Sequence, residues 1–212
     1  MTRHQRHRNA RAAFTLVELM LGIAITALVA LAIASMLTSV ATTSASSRDD
    51  RSVLMRGNLA NVRLRAYVEP ALDVLAYDPA QGAAIWLQDD TPGKTVNLLE
   101  LRILWYDPVM QTISVERVVF PGSWTQQMQQ AANVALPKNG DFFAAMTTQR
   151  QAGYTQTQTL LEDVSSFDLS FPGATIQASN TFRFAVSLTS DLGDVRPLYV
   201  AVGQPNHTEP VS

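Results

Sequence analysis

From Leu19 to Ser47 the chain carries no charged residue, and Leu19 to Leu37 is apolar except at Gly22, Thr26 and Ser35. About 20 such residues suffice to cross the hydrocarbon core of a bilayer as a helix. Ahead of the run stands one carboxylate, Glu18, and ahead of that a polar segment with Arg3, Arg6, Arg8 and Arg11. Arginines on the N-terminal side of a span hold that end in the cytoplasm, which places the rest of the chain outside it. His4 and His7 lie among these arginines and belong to the cationic flank, because the neighbouring charges repel a metal ion.

Three kinds of chain begin this way. A cleaved secretory signal would use Leu19 to Leu31 as its apolar core and Ala32-Ile33-Ala34 before Ser35 as its small-residue cleavage site. A single-span anchor would keep the run. A third kind is cut on the cytoplasmic side of the run. Glu18 separates them, since a charge at mid-span costs about 2.5–3.5 kcal/mol on insertion scales and usually marks function. Only the third kind gives it a partner. Cleavage between Ala13 and Phe14 would make the Phe14 amine the new N-terminus. Phe14 and Glu18 are one helical turn apart, on one face. Amine and carboxylate can then neutralise each other within a chain or between neighbouring chains packed side by side.

Phe14-Thr15-Leu16-Val17-Glu18, with a basic leader before it and an apolar run after it, is similar to the start of mature type IV pilins and type II secretion pseudopilins, whose acidic residue is the fifth of the mature chain. The resemblance covers the first 40 or so residues. It implies cleavage before Phe14 by prepilin peptidase, N-methylation of Phe14, and an apolar helix that serves first as anchor and then as filament core. Ala13 departs from the family, which usually has glycine before the cut.

The chain divides by composition into a basic leader (1–13), the membrane part of an N-terminal helix (14–40), its amphipathic part (41–70), a β-rich body (71–203) and a loose tail (204–212). Thr42 to Ser47 is small and polar and marks the exit from the bilayer. Arg48-Asp49-Asp50-Arg51 reads as a solvated helix face. Met55, Leu59, Val62 and Ala66 fall on one face and are expected to lie against the body, with Arg56 and Arg63 on another face. Gly57 weakens this helix by about 1 kcal/mol relative to alanine, and Pro70 ends it. One helix from Phe14 to about Val68 is therefore expected.

In the body, Ala83 to Leu87 reads as a strand. Leu98 to Tyr106 and Thr112 to Phe120 read as a hairpin about Asp107-Pro108. Trp124 to Leu136 is moderately helical, and Asp141 is placed to cap a short helix ending at Gln151. Gln156 to Thr159 connects or edges the sheet. Leu160 to Phe171, Thr181 to Thr189 and Val195 to Val202 read as strands. A long helix followed by mostly antiparallel strands is an α+β arrangement, the fold expected of a pilin. The segment Leu160 to Phe171 with the hairpin after it resembles the C-terminal part of J-type minor pseudopilins and W-type minor pilins. The absence of cysteine fits these better than the major pilins of type IVa pili.

Few chemistries remain open. With no cysteine there is no disulfide or thiolate site. Removing the leader would leave 12 basic against 18 acidic residues, a formal charge of about −6, so nucleic acid is not an expected partner. Past the leader His207 is the remaining histidine, and neither Gly-x-Ser-x-Gly nor His-Glu-x-x-His occurs. Gly93-Lys94-Thr95 lacks the earlier glycine of a phosphate loop, since Gln88 stands there. Asp89, Asp90, Asn97 and Glu100 surround a turn, with Glu100 eleven after Asp89, the spacing of a calcium loop. Lys94 and Gly93 stand where that loop wants other residues, and a polar hairpin turn is the simpler reading. Trp86, Trp105 and Trp124 read as core or subunit-contact aromatics.

The expected protein is a non-enzymatic minor pilin or pseudopilin without a cofactor, in the inner membrane by a single span with its body outside the cytoplasm. Its expected partners are other pilin subunits, prepilin peptidase, the inner-membrane assembly platform and membrane lipid. The competing reading is a membrane-tethered periplasmic binding domain or enzyme that does not polymerise.

Overall fold

A computed structural model describes residues 15–90, 94–173, 175–176, 178–203 and 210. The leader, Phe14 and nearly all of the tail lie outside the described residues, so the expectations placed on them are not addressed by it. The chain divides into two compact units, Met1–Arg48 and Asp49–Ser212. One helix, α1 (Leu16–Val68), runs through both, close to its expected limits. It stops two residues short of Pro70, which offers no N–H to continue the ladder.

In the first unit every described side chain is exposed. The window apolar enough to span a membrane has none of its surface buried against the protein. Its hydroxyls are satisfied by the helix itself: Thr26 donates to the Gly22 carbonyl at 2.7 Å, Ser35 to Ala32 at 2.8 Å and Thr38 to Ala34 at 2.9 Å. Such back-bonding lets a polar residue sit in hydrocarbon without an orphan donor.

In the second unit five antiparallel strands form the larger sheet, in the order β1 (Asp73–Asp78), β2 (Gly82–Trp86), β4 (Leu101–Asp107), β5 (Thr112–Val118), β7 (Thr155–Leu161). A second sheet is β10 (Val195–Gly203), β9 (Thr181–Thr189), β8 (Val164–Ser170). The pieces β3 (Val96–Asn97) and β6 (Ala135–Leu136) pair with each other. Two short helices complete the body, α2 (Gln126–Ala132) and α3 (Phe142–Gln151). Asp141 caps α3, its Oδ1 accepting from the Ala144 N–H at 2.9 Å. This is the α+β pilin-like arrangement the sequence implied.

Side chains alternate across a strand, and in β4 this divides the core in two. Leu104 joins Ala60, Leu64 and Val68 of α1 and Phe167 and Phe184 of the second sheet. Leu101 and Ile103 turn the other way, to Trp86, Phe142 and Met146 under α3. Two tyrosines tie the sheets together: Tyr77 donates to the Phe167 carbonyl at 3.0 Å and Tyr106 to that of Ser165 at 2.9 Å.

Several expectations are corrected. The face of α1 on the body is Val53, Gly57, Ala60, Leu64 and Val68, about half a turn from the stripe expected there. Met55 is 74% exposed, Leu59 46% and Val62 66%, and Ala66 is exposed too. Size explains the choice, because Gly57 and Ala60 let the helix backbone approach the sheets. Asp49 is only 6% exposed and accepts from the Asp191 N–H at 2.8 Å, so it is no part of a solvated face. Strand β1 was not foreseen. Leu160 to Phe171 is two strands, β7 and β8, parted at Glu162-Asp163, where Asp163 takes a φ of 59°.

Candidate functional site

Helix α1 begins at Leu16, so its first four N–H groups have no partner within the helix. Thr15 and Glu18 satisfy two of the donors at this end. The Thr15 Oγ1 accepts from the Glu18 N–H at 3.3 Å, and Glu18 Oε2 accepts from the Thr15 N–H at 3.0 Å. The Thr15 hydroxyl also donates to Glu18 Oε2, at 3.0 Å. This is a capping box, in which the N-cap side chain and the third helical residue bond each other's backbone. It also places a negative charge at the positive end of the helix.

Glu18 therefore has a local partner that the amine-pairing argument omits. Thr15 is the residue that argument missed, although Thr-x-x-Glu before an apolar run is a legible capping signal. Ala13 and Phe14 lie outside the described residues, so the geometry of an amine at Phe14 is not described. Glu18 is exposed, with one carboxylate oxygen engaged by Thr15 and the other without a partner among the described residues.

Below Glu18 a shallow groove runs along the helix, lined by Leu19, Gly22, Ile23, Thr26, Ala27 and Ala30. Glu18, Gly22, Thr26 and Ala30 follow at intervals of four and share a face. A Cβ built at Gly22 would meet nothing within 4 Å. The chain's own fold does not require glycine there.

The calcium candidates fall in two settings. Asn97 and Glu100 are buried, at 3% and 1% exposure. Glu100 Oε2 accepts from the Asn97 N–H at 3.0 Å and from Trp86 Nε1 at 3.1 Å, fixing the turn that leads into β4. Asp89 and Asp90 are exposed, and Asp90 accepts from the Gln88 amide. Among the described residues no three acidic or histidine side chains gather as a metal site would need. Trp86 is core, while Trp105 and Trp124 are half-buried.

A charged cluster of the body lies under α3. Glu116, fully buried, accepts from Arg150 at 2.8 and 2.5 Å and from Trp105 Nε1 at 2.5 Å, and the Arg150 guanidinium sits 4.6 Å above the Trp105 ring. Burial works to raise the Glu116 pKa. Hydrogen bonds from Arg150, Thr155 and Trp105, with the Arg150 charge, outweigh it and hold the carboxyl below its ordinary value. The cluster fastens α3 to β4 and β5.

The family model of the prokaryotic N-terminal methylation motif matches residues 8–34. This stretch includes the Ala13–Phe14 bond, Thr15, Glu18 and the face of Gly22, Thr26 and Ala30, and the match supports the type IV pilin and pseudopilin family. No curated protein matches the chain, and no solved structure does.

Proposed function

We propose that the protein is a minor pilin or pseudopilin, a structural subunit of a type II secretion or type IV pilus-like filament. The observation that carries this is the methylation motif at the head of a helix whose first 33 residues, 16–48, are all exposed. Such a surface calls for lipid before assembly and for neighbouring helices after it.

The basic leader orients insertion, leaving the N-terminus in the cytoplasm and the body outside it. Prepilin peptidase cuts between Ala13 and Phe14, and the Phe14 amine is methylated. The Thr15–Glu18 box keeps the first turn wound while Glu18 presents its second oxygen. That oxygen takes the amine of a neighbouring subunit as helices pack, and the face of Gly22, Thr26 and Ala30 permits close approach. The exposed stripe Met55, Leu59, Val62 and Ala66 continues the apolar contact outside the bilayer. The body then carries the surface offered to other minor subunits, in a J-type or W-type role.

The mature N-terminus, read by mass spectrometry on protein from its host membrane, tests this reading. A chain beginning at N-methylated Phe14 is expected. A chain beginning at Ser35, or an intact Met1, would overturn it in favour of a tethered domain that does not polymerise.

A further inference from the structure

Among the described residues the two larger sheets end in four edge strands, β1, β7, β8 and β10. A bare edge offers its N–H and C=O groups to any extended chain, and proteins usually blunt it with charge, proline or a bulge. Three of these edges are blunted. β1 has Asp73, Asp78 and a register shift between Val74 and Ala76. β8 has Asp168 and a shift between Val164 and Ser166. β10 has Arg196 and Pro197. β7 reads Thr-Gln-Thr-Gln-Thr-Leu-Leu, without charge or proline. Its one irregularity lies between Thr159 and Leu161, past the regular run from Thr155. Gln156, Thr157, Gln158 and Thr159 are all exposed.

The phase of the ladder fixes which groups are free. The Val119 N–H donates to the Tyr154 carbonyl at 2.8 Å, and the register continues through Arg117–Gln156 and Val115–Gln158. Hydrogen-bonded pairs alternate in an antiparallel ladder. Gln156 and Gln158 thus turn their main chain to β5, and Thr155, Thr157 and Thr159 turn theirs to the free edge.

One face of this edge is cationic. Arg102 and Arg117 are direct cross-strand partners, a like-charge pairing that is unfavourable by itself. Arg102 donates to the carbonyls of Leu99 and Leu101 at 2.7 and 2.8 Å, and Arg117 to Gln156 Oε1 at 3.2 and 2.7 Å. Neither forms an ion pair among the described residues. Burial, then the Arg117 charge, holds the Arg102 pKa below its ordinary value. With Tyr67 and Gln158 the two arginines line a recess of about 210 Å³.

We propose that the free edge of β7 is a strand-addition site for an extended segment of a partner protein that carries a carboxylate on the Arg117 face. An added strand lies about 4.8 Å beyond β7. Arg117 already extends its guanidinium to Gln156, so an aspartate or glutamate beside Gln156 on the added strand meets it. Main-chain bonds at Thr155, Thr157 and Thr159 hold the segment, and the arginine pair selects its charge. The site does not depend on whether the chain polymerises.

The test pans a displayed library of random nonapeptides against the full chain in lipid nanodiscs and measures the recovered peptides by fluorescence anisotropy. Thr157→Pro deletes an outward N–H while sparing every bond to β5, and Arg117→Gln removes the facing charge. Recovered peptides are expected to carry Asp or Glu at alternate positions. They should lose about tenfold or more in affinity on Thr157→Pro, the equivalent of one or two hydrogen bonds. On Arg117→Gln they should weaken about fivefold or more, while counterparts with Gln in place of the acid bind both chains alike. Should Thr157→Pro lower the melting temperature, the Arg117→Gln comparison decides alone. Recovery of no peptide, of peptides without acidic residues, or of peptides bound equally by parent and variants would overturn the proposal.

Discussion

The Thr15 hydroxyl and the Glu18 carboxylate are joined at 3.0 Å across the first turn of α1, and each also holds the other's backbone N–H. The carboxylate at the head of the apolar run is thus half of a helix cap. Its two oxygens divide the work. One closes the cap, and the other has no partner among the described residues.

That division predicts different outcomes for the two partners. Glu18→Ala should leave membrane insertion intact and sharply reduce incorporation into filaments. Thr15→Ala removes the cap hydroxyl, costing the helix about 1 kcal/mol, yet keeps the carboxylate, so most incorporation should survive. Fractionation of cell membranes and sheared filaments, with immunoblotting, reads both. Equal loss in the two variants would mean that Glu18 acts through the cap alone.

Gly22 gives a second prediction. A Cβ added there meets nothing within 4 Å, so Gly22→Leu should insert and fold as the parent does. If Gly22, Thr26 and Ala30 form a close helix contact, the added bulk separates the helices and incorporation falls severalfold. Protease resistance of the body serves as the folding control.

How far the sequence carried these conclusions depended on the residue. Helix α1 was legible because an apolar run followed by an amphipathic one leaves little choice. The hairpins β4–β5 and β9–β10 were legible from β-branched and aromatic runs bounded by turns. Strand β1 was not, since Asp73, Ala76 and Asp78 are weak strand formers and the shift between Val74 and Ala76 breaks the alternation. The body-facing stripe of α1 was misplaced because Met55, Leu59 and Val62 are the larger side chains. Close packing of helix on sheet favours Gly57 and Ala60, whose virtue is absence of bulk. Asp49 was misread because its partner, the Asp191 N–H, lies 142 residues away. Thr15 is legible from its Thr-x-x-Glu spacing, although the partner expected for Glu18 is an amine at Phe14.

The two faces of α1 predict opposite responses. Ala60→Leu overfills the contact between helix and sheets and should destabilise the body by about 1–3 kcal/mol. Val62→Ser, on the exposed face, should change stability by no more than about 0.5 kcal/mol and instead lower incorporation. Chemical denaturation followed by tryptophan fluorescence in detergent micelles separates them, since Trp86 is in the core. A Val62→Ser chain that unfolds as readily as Ala60→Leu would contradict the assignment of faces.

The Glu116–Arg150 pair predicts a pH dependence whose sign follows from the direction of the shift. The folded pKa of Glu116 is depressed, so its stabilising contribution is complete above the unfolded carboxylate value of about 4.3. That contribution is lost as pH falls below this value and through the folded one. Glu116→Gln removes the charge at every pH. It should cost about 1–3 kcal/mol at pH 7, because Arg150 is half exposed and recovers part of its solvation. As pH falls below about 4.3 the deficit should shrink, because the unfolded carboxylate then takes up a proton that the folded one resists. Melting curves of parent and variant between pH 7 and pH 3 are therefore expected to converge. A deficit that stays constant across that range would assign the loss to packing against Trp105 and leave the ion pair without a part in it.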